Sequence, residues 1–236
     1  MEVFTKVTII PSLACTATFF WSCFVFDFIY SFPEVRQLYR IQPQVETSEK
    51  IREMRNVAIK RLVDGFWCNF LCHWVARAIL TTDDFGALNL WYEFACLVIM
   101  LLLSDANFYW SHRLLHHRWF YQSCHKLHHS CKHPIPWTSL YVDVGEFFIA
   151  ILSSFLLPLW VAGLLGLQPN YHTYSLYLII ITFSLVMSHD GMNLPFLSAE
   201  HHDQHHEMFH GNYGSRLNFW DRLMNTEIKL PQKNSS

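Results

Sequence analysis

Three stretches of this chain carry no formal charge over about twenty residues, and nothing else in the sequence limits the fold as much. They run from Val7 to Phe26, from Phe147 to Gln168 and from Asn170 to His189, with histidine counted neutral. As a helix, each is long enough to cross a hydrocarbon core of ~30 Å, which takes about twenty residues. Leu88 to Leu103, broken only by Glu93, is a fourth candidate span. Leu62 to Leu80 is a fifth, but it carries Asp64 and Arg77 and can instead lie in the interface. The chain therefore reads as an all-α integral membrane bundle of four to five transmembrane helices. Composition agrees: 52% of residues are hydrophobic and only 15% are charged, far from the balance of a soluble domain. A net charge of −2, without a basic stripe interleaved with aromatics, sets nucleic-acid partners aside.

The first apolar stretch is too long for the core of a signal peptide, and Asp27 ends it without a small-residue cleavage site, so it reads as a retained anchor. From Glu34 to Arg61 the composition turns polar, with seven Lys or Arg. Four more basic residues, Arg113, Arg118, Lys126 and Lys132, lie within 112–133, and another four follow Gly211. The loops TTDDFGA at 81–87 and GLQPNY at 166–171 hold none. The positive-inside rule then places the basic segments in the cytosol and both loops across the membrane. Residues 62–103 and 147–188 become hairpins, each leaving and returning on one side.

Both hairpins deliver histidines to that side. Seven histidines fall in HRLLHHRWFYQSCHKLHHSCKH at 112–133 and six in HDGMNLPFLSAEHHDQHHEMFH at 189–210, leaving only His73 and His172 elsewhere. Three groups share helical spacing: His112 and His116; His125, His128 and His129; His202, His205 and His206. Residues three and four apart project from one helix face, so each group can present two or three imidazoles in one direction. Leu114, Leu115 and Leu127 take the alternate face, as an ordered helix requires. With His189, at the cytosolic end of a span, the donors number nine. One zinc site uses three or four protein ligands, so nine suit two ions with open positions. Imidazole binds iron, zinc, copper and nickel alike and does not name the metal. His73 and His172 read as ordinary hydrogen-bonded residues, and His117, His133, His201 and His210 fall outside the repeated pattern.

Two other features compete for these residues. Of the seven cysteines, Cys124 and Cys131 flank the first run, but no CxxC pair is present and the set reads as small hydrophobes without a disulfide framework. HEMFH at 206–210 matches the HExxH motif of zinc hydrolases, with Glu207 as general base. That reading uses His206 and His210 and leaves the other spaced histidines idle. The following GNYGS does not continue the longer metzincin pattern. A metal transporter with histidine-rich loops is a further alternative, and it would place polar ligands inside its spans.

The order HRLLH, HKLHH, HDQHH among apolar spans resembles the fatty acid hydroxylase superfamily of membrane di-iron enzymes, whose pattern is HX3H, HX2HH and HX2HH. The likeness runs from about Asp105 to Thr226 and takes in NFYWSHRLLHH, HDGMNLP and GNYGSRLNFWDRLMNT; it is nearest the C4-methylsterol oxidase branch and its fatty-acid-hydroxylase-domain relatives. The resemblance implies a catalytic domain at 88–230, behind the anchor and connector at 1–87, and the final PQKNSS at 231–236 reads as a short disordered tail. It also implies two iron ions, O2 as co-substrate, a sterol or fatty acyl lipid hydroxylated or desaturated, and electrons from cytochrome b5 or its reductase, since no haem or flavin module is recognisable in this chain. The implied location is the endoplasmic reticulum membrane, with the histidines facing the cytosol. The sequence departs from that branch at DVGE, 143–146, where relatives commonly show HP ahead of a Glu, and at Asn193, where they often have Asp or His. Asp143 and Asn193 are kept as candidate ligands or water holders. Asp105, two turns before His112, is kept as a candidate acceptor for an imidazole N–H, and Asp190, Glu200 and Asp203 are considered alongside it. Phe108, Trp110, Trp137 and Phe148 read first as an interfacial aromatic belt and second as the wall of a lipid path.

Overall fold

The computed structural model describes residues 8–80, 89–195, 197–215 and 217–229, the side chains of 69–80 and 197 excepted. Its helices are α1 (Ile10–Tyr30), α2 (Pro33–Tyr39), α3 (Ser48–Leu80), α4 (Leu90–Leu115), α5 (Val144–Leu164), α6 (Tyr171–Met187), α7 (Glu200–Met208) and α8 (Phe219–Leu223). The only sheet among the described residues is a hairpin of β1 (Asn193–Leu194) and β2 (Leu197–Ser198), paired antiparallel with Asn193 opposite Ser198. The fold is the helical bundle expected from the apolar stretches. The loop at 81–87, the tail at 231–236 and the side chain of His73 lie outside the described residues.

Local chemistry sets the helix starts. Pro33 opens α2 and Pro11 sits in the first turn of α1, where a fixed φ costs nothing and the missing N–H has no helical partner to lose. Asn89 and Asn170 cap α4 and α6 by accepting from the backbone N–H of Tyr92 and Thr173. Helices α1, α4 and α5 are long and apolar enough to cross a membrane, and α6 is apolar but shorter at 17 residues.

Two boundaries differ from expectation. The span expected to close at Leu103 runs on to Leu115, which carries His112 on its last turn. From Ser48 on, the polar connector and the fifth candidate span form one unbroken helix, α3, of 33 residues, about 50 Å long at 1.5 Å per residue. No proline interrupts 48–80, so the change in composition there alters the surroundings of the helix without ending it.

Helix α1 packs along α6 and α4 along α5. Asn107 donates to Ser153 Oγ at 2.7 Å and Ser104 to the carbonyl of Ser154 at 2.9 Å, tying α4 to α5. Phe19, Cys23 and Phe26 of α1 and Met54 and Ala58 of α3 share one buried cluster with Trp137, Leu140, Tyr141 and Leu185. The N-terminal helices are therefore part of the packing beneath the histidines. Trp137 meets Phe19, Phe20 and Phe24 edge-on, and its indole N–H donates to Asp27, which also pairs with Arg55 at 2.8 Å. Of the four residues read as an aromatic belt, Phe108 and Trp137 are buried, while Trp110 and Phe148 face outward.

Candidate metal centre

The structure gathers all nine candidate histidines into two groups, with the ligand atoms of each within 4.8 Å of one another. The first holds His112, His116, His125, His129 and His205, and the second His128, His189, His202 and His206. His112 lies on the last turn of α4, and His116 caps that helix. His125 ends a π-helical turn at Tyr121–His125, and His128 and His129 begin a 3-10 turn. His189 follows α6, and His202, His205 and His206 lie on α7.

In the first group the Nε2 atoms stand 2.9 to 3.1 Å apart: His112 to His125, His125 to His116 and His129, and His205 to His116 and His129. In the second, His189 Nε2 is 3.2 Å from that of His128 and 3.0 Å from that of His202. In the first group these approaches cannot all be hydrogen bonds at once, because a neutral imidazole carries a single N–H. His112 Nδ1 donates to the carbonyl of Tyr213 at 2.7 Å, His205 Nδ1 to Gly211 at 2.7 Å, His189 Nδ1 to Leu185 at 2.9 Å and His206 Nδ1 to Cys131 at 3.0 Å. A neutral imidazole with its proton on Nδ1 has only a lone pair at Nε2. The four rings so fixed point lone pairs into their groups, where an ion bound in each group would satisfy every one.

Protonation does not do the same. Burial penalises the imidazolium form and pushes His116 down to about 2 and His189 to about 4. His125, His128, His129, His202, His205 and His206 are lowered for the same reason, with neighbouring imidazoles adding to it. Neutral imidazole is the form that binds metal. Two nitrogens at right angles around an ion with bonds of about 2.1 Å stand about 3.0 Å apart, so the spacing suits an ion at the centre of each group. The buried Nε2 of His206 has no hydrogen-bond partner, and the second group gives it a use.

The surrounding residues hold these rings in place. His125 Nδ1 lies 2.8 Å from Glu146 Oε2, both buried, in a close contact off the ideal N–H axis. Gly145 permits it, because a Cβ there would stand 2.6 Å from Cys124 Sγ. The carbonyls that brace His112 and His205 belong to the loop 211–214, and buried Asp221 of α8 holds that loop by accepting from the N–H of Tyr213 and Gly214 and from Thr226 Oγ1. Gly211 has a φ of 70°, and a Cβ on it would lie 2.5 Å from the carbonyl of Thr226, so glycine is required at this turn.

The remaining candidates are placed elsewhere. Asp105 accepts from the N–H of Leu217 at 3.3 Å, and the His112 proton goes to Tyr213 instead. Asn193 is exposed on β1. Half-buried Asp143 precedes α5, and its carbonyl accepts from Phe147. Neither belongs to a histidine group. The carboxylate in contact with a histidine from that stretch is Glu146, three residues further on; its signal in the sequence is an acidic residue at the head of the apolar run FFIAIL. Asp190 accepts from the N–H of Met192, Asp203 from Gln42 Nε2, and Glu200 is exposed. Cys124 and Cys131 contribute no atom to either group. The HExxH geometry is absent: α7 ends at Met208, Phe209 turns left-handed with φ 61°, and exposed His210 bonds its own Met208 carbonyl while Glu207 faces solvent.

Fold and site together define a helical membrane protein with a paired histidine centre where its helices end. The fatty acid hydroxylase family model matches residues 97–226, more than half of the chain, and the chain belongs to that family. A methylsterol monooxygenase of Aspergillus fumigatus is 32% identical over 151 residues, covering 59% of this chain and 50% of that protein. A Delta(7)-sterol 5(6)-desaturase of Schizosaccharomyces pombe is 32% identical over 148 residues, 61% of this chain and 47% of its own length. Fatty acid hydroxylase domain-containing protein 2 of Homo sapiens is 36% identical over 137 residues, 58% and 39%. The chain thus spans half or less of the length of these relatives. No solved structure matches it.

Proposed function

We propose that this chain is a membrane oxidoreductase that hydroxylates or desaturates a lipid, a sterol first and a fatty acyl chain second. In this reading the nine histidines hold two iron ions, O2 is the co-substrate, and cytochrome b5 or its reductase supplies electrons at the cytosolic face of the endoplasmic reticulum. The observation that carries it is the convergence of nine imidazoles, eight buried and His116 half-buried, on two points, in a family whose relatives above are named as sterol monooxygenases and desaturases. Iron supplies the redox chemistry with O2 that no side chain provides.

The protein's own contribution is orientation and exclusion of water. The carbonyls of Tyr213, Gly211, Leu185 and Cys131 fix the tautomers, and Glu146 holds the His125 ring. An apolar cavity of about 70 Å³ lies among α1, α3, α5 and α6, lined by residues including Phe19, Leu140, Phe147, Leu156, Leu178 and Leu185. Phe147 follows Glu146, and the carbonyl of Leu185 braces His189, so the lining adjoins residues that hold a histidine of each group. That lining is mostly apolar, with Arg61 its one charged side chain.

Metal content per chain in detergent-purified protein tests the reading, alongside His125→Ala and His210→Ala. The expected result is two ions per chain, reduced in His125→Ala and unchanged in His210→Ala, with O2-dependent conversion of a methylsterol in membranes supplied with cytochrome b5 and its reductase. One ion per chain, lost with His210 and indifferent to His125, overturns it in favour of a hydrolase.

A further inference from the structure

Helix α4 carries two outward-facing tryptophans, Trp91 near its start, 83% exposed, and Trp110 near its end, 46% exposed. They are nineteen residues apart, about 28 Å at 1.5 Å per residue, which matches a hydrocarbon core of ~30 Å. Tryptophan concentrates at both membrane–water boundaries. The pair therefore marks the two edges of the bilayer on this helix, and Trp110 marks the edge beside the histidines.

The C-terminal helix α8 sits at that level. Trp220 meets Trp110 edge-on at 6.1 Å and stacks on Tyr109 at 6.0 Å. On either side of Trp220 the apolar residues turn outward: Leu217, Phe219 and Leu223 are 48%, 57% and 56% exposed. Leu114, one turn above Trp110 on the same face of α4, is exposed too. Between them Asp221 is fully buried and holds the loop that braces His112 and His205. Within this one turn, the inner side serves the metal centre and the outer side is apolar.

We infer that residues 217–223 form a membrane foot: Leu217, Phe219 and Leu223 insert into the lipid interface beside Trp110, and this seats the loop that orients His112 and His205. The occupant is lipid because the apolar face continues a span at the depth Trp110 marks. Arg222, exposed between Asp221 and Leu223, can keep its charge at the headgroups while its stem lies along the apolar surface.

Benzoylphenylalanine placed singly at Phe219 or Leu223, in the full chain reconstituted into phosphatidylcholine nanodiscs and irradiated, tests the foot. Both side chains already face outward, so neither replacement opens the core. Mass spectrometry should find a lipid adduct on the peptide at both positions and at Leu176, exposed on α6, well above that at Glu207 on α7. Adducts to a second copy of the chain, or no lipid adduct at 219 and 223 where Leu176 gives one, overturn the inference.

Discussion

Alanine at Gly145 probes how closely the turn that carries His125 is seated on α5. The added Cβ would lie 2.6 Å from Cys124 Sγ and 3.2 Å from Cys124 Cβ, inside the ~3.5–4.0 Å at which such atoms attract. Relief requires Cys124 Sγ to rotate away and the Tyr121–His125 turn to yield by a few tenths of an ångström. That turn ends at His125 and Gly145 precedes Glu146, so the movement opens the 2.8 Å contact between those two. Overpacking of this kind costs about 1–3 kcal/mol. For a chain of this size each kcal/mol shifts the melting midpoint by about 2–4 °C, so Gly145→Ala is expected to melt about 2–12 °C lower. Cys124→Ala in the same background removes the sulfur at 2.6 Å and leaves the Cβ at 3.2 Å, so it should restore more than half of the loss. Thermal unfolding in detergent, with metal content measured on the same samples, reads both effects. Gly145→Ala melting with the wild type, or a loss that Cys124→Ala leaves unchanged, refutes the close approach as the cause.

Glu146→Gln keeps the size of the side chain and turns the carboxyl beside His125 into an amide; by analogy with other residues that orient metal ligands, affinity at the five-histidine group should fall about 10–100-fold. A chelator titration checks it, and an equal loss at both groups, or none, contradicts the assignment. Asp221→Ala deprives three donors of a buried carboxylate; with bonds to a charged acceptor worth about 1.5–3 kcal/mol each and not fully additive, a loss of at least about 3 kcal/mol is expected, read as a midpoint about 6–12 °C lower. His128→Ala and His129→Ala, one residue apart, should each weaken a different ion, the first in the four-histidine group and the second in the five-histidine group. Metal content with selective reloading distinguishes them, and loss of the same ion from both variants refutes the division.

The bundle was legible wherever one physical signal dominated. The uncharged runs located α1, α5 and α6 because burial in hydrocarbon tolerates little else. The continuity of α3 was not legible: hydropathy changes sign along it while helix propensity does not. Eight of the nine histidines were legible because their spacing repeats, and His189 because it closes an apolar run. Their supports were not, since four of them are backbone carbonyls, which leave no mark in a sequence, and Glu146 meets His125 across twenty intervening residues. Asp221 was hidden for the same reason: its partners at 213, 214 and 226 are visible only once the loop is folded. Asp105 was a candidate by helical spacing, but spacing ranks neighbours on one helix and is blind to a carbonyl arriving from residue 213.

How the histidines divide between the two groups follows from the same spacing, read more finely. Each motif was expected to present its imidazoles in one direction, yet only the pairs four apart stay together: His112 with His116, His125 with His129, and His202 with His206. The residue three along goes to the other group, His128 away from His125 and His205 away from His202. On α7 the reason is angular. At 100° per residue, positions four apart differ by about 40° and positions three apart by about 60° in the opposite sense, so an imidazole at the third position points to the far side of the one at the fourth. In the second motif a π-helical turn giving way to a 3-10 turn produces the same division by a different backbone route. A motif of this form therefore feeds two centres at once, and its doubled histidine is the place where the chain divides its ligands between them.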